Sequence, residues 1–269
     1  MAPGVNDPAE AAATNPLPHP GEKNNPYAIP ALLRQKNPTV FSLVIEGKRV
    51  FVKQSRRGKN PLGKFCQRLL WRLTANPLLL PPLQPLTGSA EQEAATLRRL
   101  GEAGINVPAL LHAEPDYLVM ADAGSQLEEA LRQASPSQRH QLMAEAAQEL
   151  RRLHDQGYAH GGSQIKNMAL QEGKIYFFDF EERIDAAQLP AFQLRDLFLL
   201  LFSLERAGFD PNLKDILASY GWTGEKSQEL LLPLRRLKLV NIFRHPPLSW
   251  LKVRDIKAIG ILTDKAGKP

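Results

Sequence analysis

The residues best suited to chemistry in this 269-residue chain lie in one run, His160-Gly161-Gly162-Ser163-Gln164-Ile165-Lys166-Asn167, and in Asp179 beyond it. Met168 to Leu170 and Lys174 to Phe178 are short apolar runs around Gln171-Glu172-Gly173. The glycine suits the positive φ of a tight turn, so a β-hairpin joins the two parts. Asn167 enters that hairpin and Asp179 leaves it, which brings their side-chain oxygens to one end. Two oxygen donors with open positions left for phosphate oxygens are how Mg²⁺ is usually held.

The elements that must position these groups are readable on both sides. Ser135-Pro136 is an N-cap followed by proline at the first helical position, and Leu142, Ala146, Leu150 and Leu153 repeat at helical spacing up to Gly157. A helix therefore ends just before His160 and delivers it to a loop. Upstream, Thr39 to Glu46 and Arg49 to Gln54 are β-rich runs about Gly47-Lys48, and apolar Val50 and Val52 leave Phe51 and Lys53 on the opposite face. Glu91 to Leu100 carries Ala94, Leu97 and Leu100 on one helical stripe, with Glu91 and Glu93 in its first turn. Tyr117 to Ala121 is an apolar strand that ends in the small-residue turn Asp122-Ala123-Gly124. The helix from Gln193 to Glu205 is almost solidly apolar apart from Arg195 and Asp196. Such a helix belongs in a core, and an aspartate buried there needs partners.

In this order the pieces resemble a protein-kinase-like phosphotransferase. In the pattern H-R-D-L-x-x-x-N the Asn stands seven residues after the His, and the Asp of D-F-G follows on the next hairpin. Asn167 and Asp179 occupy those places, Val50-Phe51-Val52-Lys53 is similar to the V-A-I-K strand, and Leu153 to His160 is similar to an L-H-x-x-G-x-x-H entry. Together these motifs resemble the bacterial lipopolysaccharide kinase InaA and Bud-type small kinase superfamily over roughly residues 35 to 205. The resemblance implies an α+β, two-lobed fold: a small antiparallel-sheet N-lobe with one αC-type helix over 31–122, and a mainly helical C-lobe over 123–269 with a basic C-terminal extension. It also implies ATP and Mg²⁺. Lys53 would hold nucleotide phosphates, Glu93 or its rival Glu91 would orient Lys53, and the backbone of Val119, Met120 and Ala121 would hold the adenine. Asn167 and Asp179 would bind the metal, and Asp196 would tie down the catalytic loop. His160, Gln164 and Lys166 complete the implied catalytic set, with Gln164 or Lys166 orienting the substrate or the γ-phosphate.

Three departures from the pattern narrow the reaction. Gly162 stands where the catalytic aspartate is expected, no glycine occurs over residues 27–46 to form a phosphate-covering loop, and only about ten residues separate Phe180 from the next helix. Phosphoryl transfer relies mostly on positioning and charge stabilisation, so losing a general base slows such an enzyme by about 10²- to 10⁴-fold. Glu181, Glu182 and Asp185 are the nearby carboxylates able to replace it. The short segment leaves no room to dock a peptide, which favours a small or lipid acceptor. The alternative is a pseudokinase, a nucleotide-binding or scaffold module that keeps the fold without the chemistry.

Charge is unevenly spread. Residues 47–72 carry nine Lys/Arg and no acid, and 233–269 carry nine Lys/Arg against two acids, in a chain whose net charge is +6. Lys64, Arg68 and Arg72 fall on one helical face beside Phe65, Leu69 and Leu73, and Trp71, Leu78 to Leu80 and Trp250 add interfacial or apolar candidates. A basic amphipathic helix of this kind fits an anionic membrane surface, and the partner expected is such a surface or a lipid-linked glycan. Two solvated helix faces are the plainer reading of the same residues. No recognised nucleic-acid motif accompanies the charge, so nucleic acid is not the expected partner. The single cysteine, Cys66, suits a reducing cytoplasm, and neither a signal peptide nor an apolar membrane span is readable. The expected location is cytoplasmic, peripheral on the inner membrane. Residues 1–30 hold seven prolines and read as a disordered tail.

Overall fold

A computed structural model describes residues 25–30, 34, 39–55, 75–79, 90–180, 182, 184–237 and 253–267. Strand β1 (Val40–Ile45) and strand β2 (Lys48–Gln54) form a hairpin through Glu46 and Gly47, both at positive φ. Helix α1 (Ala90–Glu102) follows, then β3 (Leu110–Glu114) and β4 (Tyr117–Ala121). These strands make one antiparallel sheet in the order β1-β2-β4-β3, with Lys53 opposite Leu118 and Phe51 opposite Met120. This is the N-lobe.

The pleat divides the sheet's side chains. Val50, Val52, Tyr117 and Val119 turn to an outer cluster with Ile29 and Phe41, whereas Leu118 and Met120 join Ala94, Leu97 and Leu100 of α1 in the main core. The outer cluster brings a correction. Ile29 is buried and its amide donates to the Tyr117 hydroxyl at 3.0 Å, while Asn25 meets the His112 ring at 3.0 Å. Residues 25–30 are therefore a packed part of the N-lobe, because apolar Ile29 and Tyr27 cover a face that the sheet would otherwise expose.

The chain crosses to the C-lobe through Asp122 to Gly124. A short strand β5 (Ser125–Gln126), helix α2 (Leu127–Gln133) and helix α3 (Pro136–Asp155) come next. Ser135 caps α3 with a reciprocal Ser135–Gln138 capping box. Strands β6 (Met168–Gln171) and β7 (Lys174–Phe177) then form the expected hairpin, paired through β6 with β5. Helix α4 (Leu189–Arg206) is the C-lobe's central element, with Phe192, Leu197, Leu200, Leu201 and Leu204 buried. Helices α6 (Gln228–Arg236) and α7 (Val253–Ala266) pack on it, while α5 (Leu213–Ser219) packs on α3. Leu262 and Ala266 of α7 are buried, and Lys265 bridges Glu205 at 2.7 Å. The C-terminal segment expected to be an extension thus contains a helix that packs into the lobe. The amphipathic helix expected from Lys64 to Leu73, with Cys66 and Trp71, and the residues Leu80, Glu181 and Trp250 lie outside the described residues.

Candidate active site

Three elements converge on Lys53. Its ammonium lies 2.8–2.9 Å from the two Glu93 carboxylate oxygens and is also bonded to Asp179. Lys53 stands on β2, Glu93 on α1 and Asp179 after β7, so this triad spans both lobes. Burial alone would discharge Lys53, but the Glu93 and Asp179 carboxylates outweigh it and hold the pKa above the ordinary lysine value. Lys53 is a fixed cation. Of the two glutamates in the first turn of α1, Glu93 is buried and contacts Lys53, while Glu91 is exposed.

The loop after α1 fixes this geometry. Phe177 donates its amide to Asn106 O at 2.9 Å, and Arg152 of α3 donates to Gly104 O at 2.7 Å. The C-terminal end of α1 is thereby tied to the hairpin that carries Asp179. Asp179 has φ 71°, in the left-handed region that aspartate tolerates better than most residues.

The catalytic-loop segment hangs from Asp196. Its Oδ2 accepts the amides of His160 at 2.6 Å and Gly161 at 3.2 Å, lies 3.4 Å from His154 Nε2, and its backbone oxygen accepts Ser163 Oγ at 2.6 Å. Burial would raise the Asp196 pKa, yet the His154 hydrogen bond and the nearby histidines hold it below the carboxylate range. The structural role expected of Asp196 is the one the geometry supplies.

His160 is almost fully buried, stacked on Phe180 with ring centroids 4.4 Å apart. Nδ1 accepts the Gly162 amide at 3.2 Å, so Nε2 carries the proton and donates to Phe178 O at 3.0 Å. Burial pushes its pKa down, only partly countered by Asp196 and Asp179. With both nitrogens used and no access to solvent, His160 links the loop to the Asp179 strand and is a positioning residue.

Asn167 donates Nδ2 to Gly162 O at 2.8 Å, which leaves its Oδ1 as an oxygen donor. Its backbone oxygen accepts the Phe178 amide at 3.1 Å, one residue before Asp179, and an amide oxygen and a carboxylate are hard donors of the type that Mg²⁺ takes. Among the described residues no group of three His, Cys, Asp or Glu competes as a metal site. Gln164 is half-buried ahead of the 3₁₀ turn Ile165–Asn167, and Lys166 is exposed.

β4 lies between β2 and β3 in the sheet, and the Ala121 amide donates to Ala109 O at 2.8 Å. Of Val119, Met120 and Ala121, the Met120 side chain shares the Lys53 face of the sheet. One expectation changes. Glu182 is no spare base. Arg195 holds its oxygens at 3.2–3.3 Å, and its side chain packs over Gly161. Arg195 was visible as the cation in an apolar helix, but no spacing in the sequence named Glu182 as its partner. The same holds for the bond between His154 and Tyr220 at 2.5 Å.

Residues 80–206 match the RIO domain family. The fold is protein-kinase-like. The KEOPS complex subunit Bud32 of Pyrococcus abyssi is 29% identical over 167 residues, 60% of this chain and 75% of that protein. An uncharacterized protein of Haemophilus influenzae is 24% identical over 182 residues, 67% of this chain and 68% of that one. Among solved structures, the complex of Rv3197 with erythromycin from Mycobacterium tuberculosis is 14% identical with a TM-score of 0.39, covering 84% of this chain and 70% of that chain. The chain is thus similar to the RIO domain over residues 80–206 and to Bud32 over 167 residues. Kinase-like proteins of this kind use ATP and Mg²⁺ in general.

Proposed function

We propose that this chain transfers the γ-phosphoryl group of ATP to a hydroxyl of a membrane-associated substrate such as lipopolysaccharide or another glycolipid. The observation that carries the transfer is Lys53, held between Glu93 and Asp179 at the junction of the lobes. Lys53 binds nucleotide phosphates, Glu93 keeps its ammonium aimed, and Asp179 with Asn167 would hold Mg²⁺. That ion supplies charge neutralisation at the phosphates. The acceptor hydroxyl oxygen bonds to the γ-phosphorus as the bond to the β,γ-bridging oxygen breaks, and ADP leaves. The hydroxyl proton passes to water, since Gly162 offers no carboxylate.

The lipid acceptor rests on two features. Between Phe180 and Leu189, where α4 begins, the chain is too short to seat a peptide, and the basic blocks suit an anionic surface. The location that follows is the cytoplasmic side of the inner membrane. Among the described residues no helix is long and apolar enough to cross a membrane.

One observation favours a second reading, a nucleotide-binding module without transfer. A Cβ at Gly162 would meet only Asn167 Nδ2 at 3.6 Å and His160 Nδ1 at 3.8 Å, ordinary contact distances. The first atom of a side chain would meet no collision there. Calorimetric titration with ATP tests the shared core of both readings: affinity should require Mg²⁺ and fall sharply in Asp179→Ala. Equal affinity in the variant refutes the site.

A further inference from the structure

Besides its passage from N-lobe to C-lobe at Asp122 to Gly124, the chain meets the C-lobe earlier, within the connection between Gln54 at the end of β2 and Ala90 at the start of α1. The root of that connection is closed in the N-lobe. Ser55 donates its amide to Asp116 O at 2.8 Å, and the Ser55 hydroxyl oxygen accepts the Ala90 amide at 2.9 Å. Its middle is seated elsewhere: the 3₁₀ turn Pro77–Leu79 packs on α4 and α6 of the C-lobe. The chain thus leaves the N-lobe, docks on the C-lobe and returns before α1 begins.

A connecting segment ordinarily runs over the surface. This one is sunk at two side chains. Leu78 is 2% exposed and belongs to the main core, with Leu79 packed beside it. Asn76 is buried with both ends of its amide used: Nδ2 donates to Pro233 O at 2.8 Å, and Oδ1 accepts the Leu78 amide at 3.0 Å. Pro233 O is one of the last four carbonyls of α6, which the helix's own ladder leaves without a partner. The amide of Leu237, four residues on, is spent on Leu234 O and Arg235 O. Asn76 therefore satisfies a buried acceptor of the C-lobe, and its second bond shapes the turn that sends Leu78 into the core.

The place of this plug in the chain bears on the triad. Ten residues, 80–89, lead from it to Ala90, and Glu93 stands in the first turn of α1. Lys53 stands two residues before Ser55, at the other root of the same connection. The two N-lobe members of the triad flank a connection whose middle belongs to the lobe that carries Asp179. Parting the lobes must either unseat Asn76 and Leu78 or extend the chain on both sides of them.

We propose that Asn76 and Leu78 are positioning residues for the triad: seated on α4 and α6, they hold the lobes at the closure where Lys53 and Glu93 meet Asp179. The proposal rests on the phosphotransferase reading for the ligand that the closed lobes take, and adds the element that sets its affinity. A ligand that needs both lobes binds only the closed form, so its apparent affinity scales with the closed fraction.

The test reads the separation of the lobes in the full chain by pulsed electron resonance. Spin labels go on Lys48→Cys at the start of β2 and Ala218→Cys on α5, both exposed positions, in a Cys66→Ser background. With Asn76 and Leu78 in place the pair should give one narrow distance distribution. Asn76→Ala and Leu78→Ala should each broaden it toward longer distances, and ATP with Mg²⁺ should narrow it again. Calorimetric ATP affinity should fall about tenfold where the closed fraction falls to about one tenth. Leu78→Met keeps the apolar volume and should leave both readouts near native. Thermal unfolding run alongside reports the C-lobe packing, and Asn76→Ala alone decides the matter if Leu78→Ala does not fold. A lower unfolding midpoint in Asn76→Ala, with the distance distribution and ATP affinity at their native values, overturns the proposal, because the pair would then serve only the packing of the C-lobe. If the native chain binds no ATP the phosphotransferase reading falls, while broadening in the variants still supports the clamp between the lobes.

Discussion

Replacing Asp196 with asparagine keeps the side chain's shape and removes its charge, which makes it a direct measure of what anchors the loop from His160 to Asn167. The carboxylate accepts the amides of His160 and Gly161 and lies against His154. A hydrogen bond to a charged group is worth about 1.5–3 kcal/mol net against about 1 kcal/mol for a neutral one, so the two amides lose about 1 kcal/mol each. The new NH₂ must then sit where Oδ1 has no hydrogen-bond partner, at a cost of about 1–3 kcal/mol. The expected destabilisation is about 3–5 kcal/mol, a large share of the roughly 5–15 kcal/mol that holds a domain folded. At about 2–4 °C per kcal/mol for a chain of this size, the unfolding midpoint should fall by about 10 °C.

The pH dependence gives a second readout. The folded pKa of Asp196 is depressed, so its contribution is fully present above the unfolded carboxylate value near ~4 and is lost as pH falls through the lower folded value. The deficit of Asp196→Asn should therefore hold from about pH 5 to 8 and shrink below about pH 4. Urea unfolding followed by circular dichroism measures it, with exposed Asp264→Asn as a control expected to stay within about 0.5 kcal/mol. If Asp196→Asn behaves like that control, the anchoring argument is wrong.

Restoring the missing carboxylate with Gly162→Asp should raise phosphoryl transfer to a hydroxyl acceptor by about 10²- to 10⁴-fold if the chain is a slow enzyme. Absence of transfer in both proteins across lipid and glycolipid acceptors, with ATP still bound, favours the binding module. Gly161→Ala should lose about 2–3 kcal/mol, because φ is +79° and the new Cβ would approach Glu182 Cβ to 2.9 Å. Pairing it with Glu182→Ala should recover only the collision and leave the backbone strain, which a double-mutant cycle in urea resolves. Sedimentation with anionic liposomes at low salt should carry the chain down and release it as salt rises; indifference to the lipid charge contradicts the membrane assignment.

Much of the fold follows from local pattern. The Ser135 capping box, the turn at Glu172-Gly173 and the apolar character of α4 are set by residues within a few positions of one another, and physics at that range is written in sequence order. The triad residues Lys53, Glu93 and Asp179, and Asn167 beside them, were legible for the same reason, since each sits at a fixed offset from a strand or helix end. Strand alternation also put Phe51 and Lys53 on one face.

Other features depended on which surfaces meet. That Glu93 and not Glu91 reaches Lys53 depends on the rotation of α1 against the sheet, which its buried stripe sets only once Leu118 and Met120 pack beneath it. That Glu182 is committed to Arg195 depends on a contact between a loop and a helix 13 residues away. Residues 25–30 look like a polar, proline-rich tail until the outer face of the sheet supplies apolar partners for Ile29. Short-range geometry fixed what each segment of this chain is, and tertiary packing decided which of its charged groups remain free to act, because a carboxylate's role depends on the cation it meets and on how much water is left around it.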